Sequence, residues 1–345
     1  MNALRYVIGR EIEVRQRRLV LTRRSRQGAD NEWMSIPCRD NWTQVLAWVD
    51  GSAPLAHRGV GYRAPGHDGV SWLRVVPFIV LHAVVVVGIW FVPLGALEAA
   101  VGLALYGLRM FAITAFYHRY FAHKSFSTSR TQQFFWAAVA AASAQRGPLW
   151  WAANHRQHHR SADTEDDPHD ARRGFWWSDV GWFLCDRHYV TKLDLVRDWS
   201  RYPELRWLDR FDLAMPILMG SLTFVAGELL AGQGFATSGW QLLFWGYLVS
   251  TVVLLHATLC INSLAHRLGK RRYDTGDSSR NSLLLALLTL GEGWHNNHHR
   301  YCGSVRQGFA RNEPDITYWL LRGMARLRLV WGLREVPQAV LGEQR

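Results

Sequence analysis

Four stretches of the chain are apolar for about the length of a membrane-crossing helix: Val75 to Val92, Leu94 to Tyr117, Phe211 to Gly232 and Trp240 to Ile261. A span needs about 20 mostly apolar residues at 1.5 Å of rise each. Pro93 and its neighbours separate the first pair and GQGFATSG the second, and neither connector holds a Lys or Arg, whereas arginines crowd the other loops. The positive-inside rule then puts both termini, residues 118–210 and everything after 262 in the cytoplasm. Two further apolar runs, FFWAAVAAASA (134–144) and SLLLALLTLG (282–291), are half the required length and are expected to form buried or surface-lying helices. The pattern predicts an all-α integral membrane protein with four transmembrane helices in two hairpins. Residues 118–210 and 262–345 form a cytoplasmic helical cap holding a dimetal site, with minimal sheet. The expected divisions are a basic cytoplasmic segment over 1–70, loose or interfacial, a membrane domain over 71–337 and a tail over 338–345.

Composition sharpens this picture. Hydrophobic residues make up 49% of the 345, with 18 Trp, yet the net charge is +12, so a large water-facing part accompanies the spans. A basic face suits anionic partners such as lipid head groups. No zinc-finger spacing, RNA-binding signature or basic heptad helix is present, which argues against nucleic acid. The four cysteines, Cys38, Cys185, Cys260 and Cys302, are scattered and show no redox or disulfide framework. The arginine-rich start lacks the apolar core of a cleavable signal, and Met34 is a second candidate start. Abundant Arg, scarce Lys and no targeting signal fit a bacterial inner membrane.

The chemistry lies in the histidines. The sequence reads NHRQHHR at 154–160 and HNNHHRY at 295–301. Helix positions i, i+3 and i+4 share a face, so His155, His158 and His159 are expected to converge, as are His295, His298 and His299. HRYFAH follows the second span and NSLAH the fourth, which brings His118, His123, Asn262 and His266 to the same membrane surface. His118 and His123 would diverge by about 140° on a straight helix. They either straddle two metal positions or flank a broken helix end. Nine clustered imidazoles exceed the three or four ligands of one ion, so two ions are expected. Imidazole suits iron, zinc and copper alike, and a site at the mouth of a bundle able to hold an acyl chain favours O2-activating iron. His57, His67, His82, His188 and His256 stand outside the clusters and are read as core or surface residues. Arg109, inside the second span, is read as structural or snorkelling. Trp72, Trp90, Trp150, Trp151, Trp176, Trp177 and Trp240 are read as interfacial anchors or tunnel lining.

These motifs resemble the membrane fatty-acid desaturase family, specifically its acyl-CoA (stearoyl-CoA type, Δ9) branch, with boxes H-x4-H at 118–123 and H-x2-HH at 155–159 and 295–299. DPHDARRGFWWSDVGW (167–182), NSLAH (262–266) and GEGWHNNHH (291–299) match the branch as well. The resemblance implies an oxygen-dependent desaturase placing a cis double bond, Δ9, in a C16–C18 acyl chain. It implies two iron ions, with zinc as a replacement on overexpression, held by His118, His123, His155, His158, His159, His266, His295, His298 and His299, and by Asn262 through water. Asp163, Asp166, Asp167, His169 and Glu292 are candidates to orient these ligands. Arg172, Arg173 and Arg187 are candidates for the head group of an acyl-CoA or acyl-lipid substrate, and Gly102, Tyr106 and Met110 for the tunnel. No cytochrome-b5-like module or ferredoxin-like cysteine set is appended, so the electron donor is external: a ferredoxin, cytochrome b5 or a reductase. A related membrane di-iron hydroxylase is the alternative. A metal transporter would place its ligands near mid-bilayer, which the spacing does not.

Overall fold

The computed structural model describes residues 45–52, 68–70 and 72–343. Most of the basic segment 1–70, with His57 and His67, lies outside them. Helix α1 (Val76–Gly88) starts with a proline in its first turn, where the missing N–H costs nothing. It gives way at Gly88 to a turn ahead of Pro93, whose ring disfavours helix in the residue before it. Its 13 residues rise only about 20 Å, against a hydrocarbon core of about 30 Å. Among the described residues three helices are long and apolar enough to cross, Ala96–Ala122, Ala214–Gly232 and Gly239–His266; the other expected span, Val75 to Val92, contains only the shorter apolar helix α1.

The first of these comprises α2 (Ala96–Phe111) and a π-helical continuation, Ala112–Ala122. Then come α3 (Arg130–Ala141), capped by the Ser129 side chain, and α4 (Pro148–Ser161). After α5 (Pro203–Arg210) the chain enters the second long helix, α6 (Ala214–Gly232). The third contains a π-helical stretch, Leu242–Val249, followed by α7 (Ser250–Ser263). Helices α8 (Leu283–Leu288), α9 (His295–Arg300) and α10 (Ile316–Arg326) follow. The two half-length apolar runs are α3 and α8, both too short to span. Among the described residues, sheet is confined to β1 (Ser127–Thr128) paired antiparallel with β2 (Val330–Trp331). Near the C-terminal end of the described residues, α11 (Gln338–Gly342) buries Val340 against the cluster of Tyr273 and Phe309.

The outward residues of α1, α2 and α6 are mostly apolar, among them Val84, Val87, Leu103, Leu222 and Leu229, as suits a lipid-facing surface, with Ser221 and Glu228 of α6 the polar exceptions. Trp72, Trp90, Trp176 and Trp240 are exposed too. Inside the bundle α2 meets the π-helical stretch closely, because a Cβ on Gly102 would stand 3.0 Å from the Trp245 carbonyl oxygen. Small residues permit such contacts between membrane helices. Arg109 is fully buried and does not snorkel. It donates to the carbonyls of Leu105 (3.0 Å) and Ala142 (3.3 Å), to Ser250 Oγ (2.6 Å) and to Thr251 Oγ1. One cation thereby ties α2, the C-cap residue Ala142 of α3, where the helix dipole is negative, and the start of α7.

Candidate metal centre

The π-helix determines where the first histidine box points. Its hydrogen bonds run from i+5 to i, and the His123 amide donates to the His118 carbonyl at 3.2 Å. The fifth residue therefore returns above the first, and the two rings lie 4.9 Å apart. Neither sequence alternative holds: the pair does not straddle two positions, and the helix runs unbroken to Ala122, with His123 capping it.

The boxes themselves divide. His118, His123, His155, His159 and His298 form one group, and His158, His266, His295 and His299 a second, with the ligand atoms of each within 4.8 Å of one another. All nine histidines are brought together, but the triads predicted to converge do not. On α4 the i, i+4 pair His155 and His159 faces the first group while His158 faces the second. On α9 the pair His295 and His299 faces the second while His298 faces the first. On the helical wheel the i+3 residue sits about 60° from residue i and about 100° from residue i+4, enough to separate two adjacent groups.

The donor sets suit metal ions. In the first group Nε2 atoms approach at 3.0 Å (His118 and His298), 2.9 Å (His123 and His155), 3.0 Å (His155 and His159) and 2.9 Å (His159 and His298). In the second the spacings are 3.2 Å (His158 and His299) and 3.1 Å (His266 and His295). Two nitrogens bound at right angles at about 2.1 Å from one ion stand about 3.0 Å apart. Burial, together with the charge of neighbouring imidazoles, holds His123, His155, His159, His295 and His298 well below the ordinary histidine range and His158 at about 3. The rings are thus neutral, the form that ligates a metal.

Carboxylates fix several tautomers. Nδ1 of His118 meets Glu292, that of His158 meets Asp167 at 3.0 Å, that of His266 meets Asp163 at 3.4 Å, and that of His299 meets Asp277 at 2.8 Å. With Nδ1 carrying the proton, Nε2 presents its lone pair to the cluster. Burial alone would raise Glu292, but the charges of His118 and Arg119 hold it at about 2. Asp163, Asp167 and Asp277 are likewise depressed against the effect of burial, by His266, His158 and His299. Sequence proximity missed Asp277, 22 residues from its partner, and Arg119, which the π-helix carries inward to bond Glu292 at 2.9 Å and Asp315 at 3.1 Å. Gln307 was missed as well; it donates to Glu292 at 2.9 Å. Asp166 is corrected: its side chain is exposed, and only its backbone carbonyl is engaged, by Gln157. His169 stacks 4.2 Å from His158 and stands 3.7 Å from Asp167.

A cavity of about 200 Å3 opens beside the first group. His155, His169, Asn262, Trp150 and Trp151 form one part of its wall, and Val75, Phe78, Phe183, Leu213, Leu255 and Leu259 make most of the rest apolar. Gly102, Tyr106 and Met110 are not in this wall: Gly102 packs on Trp245, Tyr106 donates to the Leu288 carbonyl at 2.6 Å, and Met110 is buried in the bundle. The three arginines proposed for a head group are already paired, Arg172 with Asp170 at 2.9 Å, Arg173 with Asp68 at 2.9 Å and Arg187 with Asp68 at 3.8 Å. The remaining described histidines stay outside both groups. His82 and His256 contact each other at 3.0 Å, and His188 is buried near Trp182.

A mostly helical chain with three helices long and apolar enough to cross a membrane, and with two adjoining histidine groups, several of whose rings are oriented by carboxylates, is compatible with a histidine-ligated metal site. The comparisons narrow it. The fatty acid desaturase family profile matches residues 95–307. A sn-2 palmitoyl-lipid 9-desaturase of Nostoc sp. (strain 36) is 36% identical over 75% of this chain and 89% of its own. A sn-1 stearoyl-lipid 9-desaturase of Anabaena variabilis is 33% identical over 72% and 88%. An acyl-CoA 5-desaturase of Anemone leveillei is 32% identical over 67% and 69%. The chain belongs to the fatty acid desaturase family.

Proposed function

We propose that the protein introduces a cis double bond, at Δ9, into a saturated C16–C18 acyl chain, consuming O2 and two electrons from an external donor such as a ferredoxin, cytochrome b5 or a reductase. The observation that carries this reading is the apolar cavity whose wall includes His155, a member of the first histidine group. Two iron ions, when bound, supply the oxygen activation and hydrogen abstraction; zinc, which accepts the same ligands, replaces them on overexpression without supplying that chemistry.

The chain's own residues do the rest. The nine histidines hold the ions, and Glu292, Asp163, Asp167 and Asp277 fix ring rotation and tautomer. Asn262, in the cavity wall, serves the centre through water. Trp150, Trp151 and Trp182 line the cavity with large apolar surfaces that keep bulk water from the reacting methylenes. The balance is –CH2–CH2– + O2 + 2e− + 2H+ → –CH=CH– + 2H2O. The proposed placement has the histidines and both termini on the cytoplasmic side of a bacterial inner membrane, with α1 and its following turn pairing with α2 as a shorter hairpin.

An acyl-CoA carrier follows from the sequence resemblance. A glycerolipid carrier is favoured by the carboxylates already occupying Arg172, Arg173 and Arg187, and by the lipid-linked names of the cyanobacterial relatives. Expression in a host lacking unsaturated fatty acids, followed by mass-spectrometric location of double bonds, tests the function. New Δ9 unsaturation is expected, and its absence from all lipid pools in cells holding folded, iron-loaded protein would sink the reading.

A further inference from the structure

The buried polar atoms of the cavity wall that make no hydrogen bond among the described residues include two donors, Arg74 Nε and Trp182 Nε1, besides Arg146 Nε, which faces Asp212, and His169 Nδ1, which faces Asp167. Buried donors of this kind are rare, because leaving water without a replacement acceptor costs free energy. Arg74 is only 9% exposed. One terminal nitrogen reaches the Leu184 carbonyl at 3.1 Å and Asp186 at 3.4 Å, and its plane lies 4.1 Å from the Tyr189 ring centroid. Trp182 is 5% exposed and stacks on Trp150 with centroids 5.4 Å apart, which fixes the direction of its N–H.

The charges around these donors are balanced. Arg146, the other arginine in the wall, meets Asp212 at 2.6 Å and covers the same Tyr189 ring at 4.0 Å. Each cation has a carboxylate, so the wall offers uncommitted N–H groups without uncommitted charge. A multiply phosphorylated carrier would find no unpaired cation here. A neutral carbonyl oxygen needs only donors.

We propose that Arg74 Nε–H and Trp182 Nε1–H hold the ester carbonyl group of a glycerolipid-linked acyl chain, so that the methylenes delivered to the metal centre are counted from Arg74. The proposal rests on the desaturase reading and adds to it the substrate class and a positioning residue. Anchoring the carbonyl fixes the register of the chain; losing the anchor lets it slide.

The test uses full-length, iron-loaded protein in nanodiscs containing distearoyl phosphatidylcholine, with a matched arm supplied stearoyl-CoA under conditions that block acyl transfer. Arg74→Lys keeps the cation for Asp186 but lacks Nε, and Trp182→Phe keeps the ring but lacks the N–H. Each is expected to raise the apparent KM roughly tenfold, the equivalent of one lost hydrogen bond, with a smaller effect on kcat. Each is also expected to spread the double bond from one position over its neighbours, which a merely structural role would not do. If Arg74→Lys fails to retain metal, Trp182→Phe decides alone. Wild-type KM and an unchanged single double-bond position in a metal-loaded variant would overturn the proposal. So would desaturation of stearoyl-CoA with none of the phospholipid, although the desaturase reading would then stand. A wild-type protein that desaturates neither substrate fails the desaturase reading itself.

Discussion

His158 and His159 are neighbours in the chain, yet they serve different groups: Nε2 of His158 lies 3.2 Å from that of His299, and Nε2 of His159 lies 2.9 Å from that of His298. α9 repeats the division with His298 and His299. Each helix therefore contributes to both centres, and the two sites are built as one unit.

The first prediction follows from that division. Purified wild-type protein should carry two metal ions per chain. His159→Ala should empty the first site preferentially and His158→Ala the second, each leaving about one ion at limiting metal, because one ligand is lost from only one set. Elemental analysis with protein quantitation checks this. Equal loss from both sites in either variant would show that the groups are not separate. Product formation should vanish in His155→Ala, His159→Ala, His266→Ala and His298→Ala, and persist in His188→Ala.

Asp277 provides a test of the orienting carboxylates. Asp277→Asn should weaken metal retention by roughly 10–100-fold, as loss of a ligand's hydrogen-bond partner generally does. Glu292→Gln should act in the same direction. Asp166→Asn should have no effect, because the Asp166 side chain faces solvent. Chelator competition would measure all three.

The nine histidines, eight of them in three boxes and His266 in NSLAH, are visible in the sequence, because side-chain type and spacing are local properties. The split between sites is not. It depends on the angle at which α4 and α9 meet and on the π-helical hydrogen bond between His123 and His118, neither of which is encoded in spacing on an ideal α-helix. Asp277 was missed for a similar reason: it reaches His299 across a turn that only the tertiary fold closes. Length and hydropathy anticipated three long helices, but Val75 to Val92 were read as a fourth because hydropathy does not register where Gly88 and Pro93 end α1. Gly102, Tyr106 and Met110 were chosen by helical periodicity, which identifies a face but not the neighbour it meets.

The buried imidazoles also predict a pH dependence. His158 is held at about 3 in the folded chain, against an ordinary value of 6.5, mainly by burial. The unfolded chain therefore binds more protons between about 6.5 and 3, and stability increases with pH across that window. Metal-stripped protein should show a falling thermal midpoint as it is acidified from pH 7 to pH 5, and the loaded protein should release metal over the same range. A midpoint independent of pH there would contradict the neutral, buried assignment.

Arg109 should matter to the scaffold more than to the ligands. Arg109→Leu leaves the Ala142 carbonyl and the Ser250 and Thr251 hydroxyls without their cation and should destabilise the protein by about 3 kcal/mol or more. The metal-to-protein ratio of the surviving folded fraction should be unchanged. A thermal midpoint equal to that of the wild type would show that the buried network contributes nothing.

The central claim is that the histidine pair-site beside the cavity desaturates, rather than hydroxylates, an acyl chain. Product analysis of reconstituted, iron-loaded protein turning over a stearoyl substrate under 18O2 tests it most directly. A monounsaturated product with no 18O in the acyl chain is the predicted result, since both oxygen atoms leave as water. A hydroxylated chain carrying one 18O atom, with no new double bond, would contradict it.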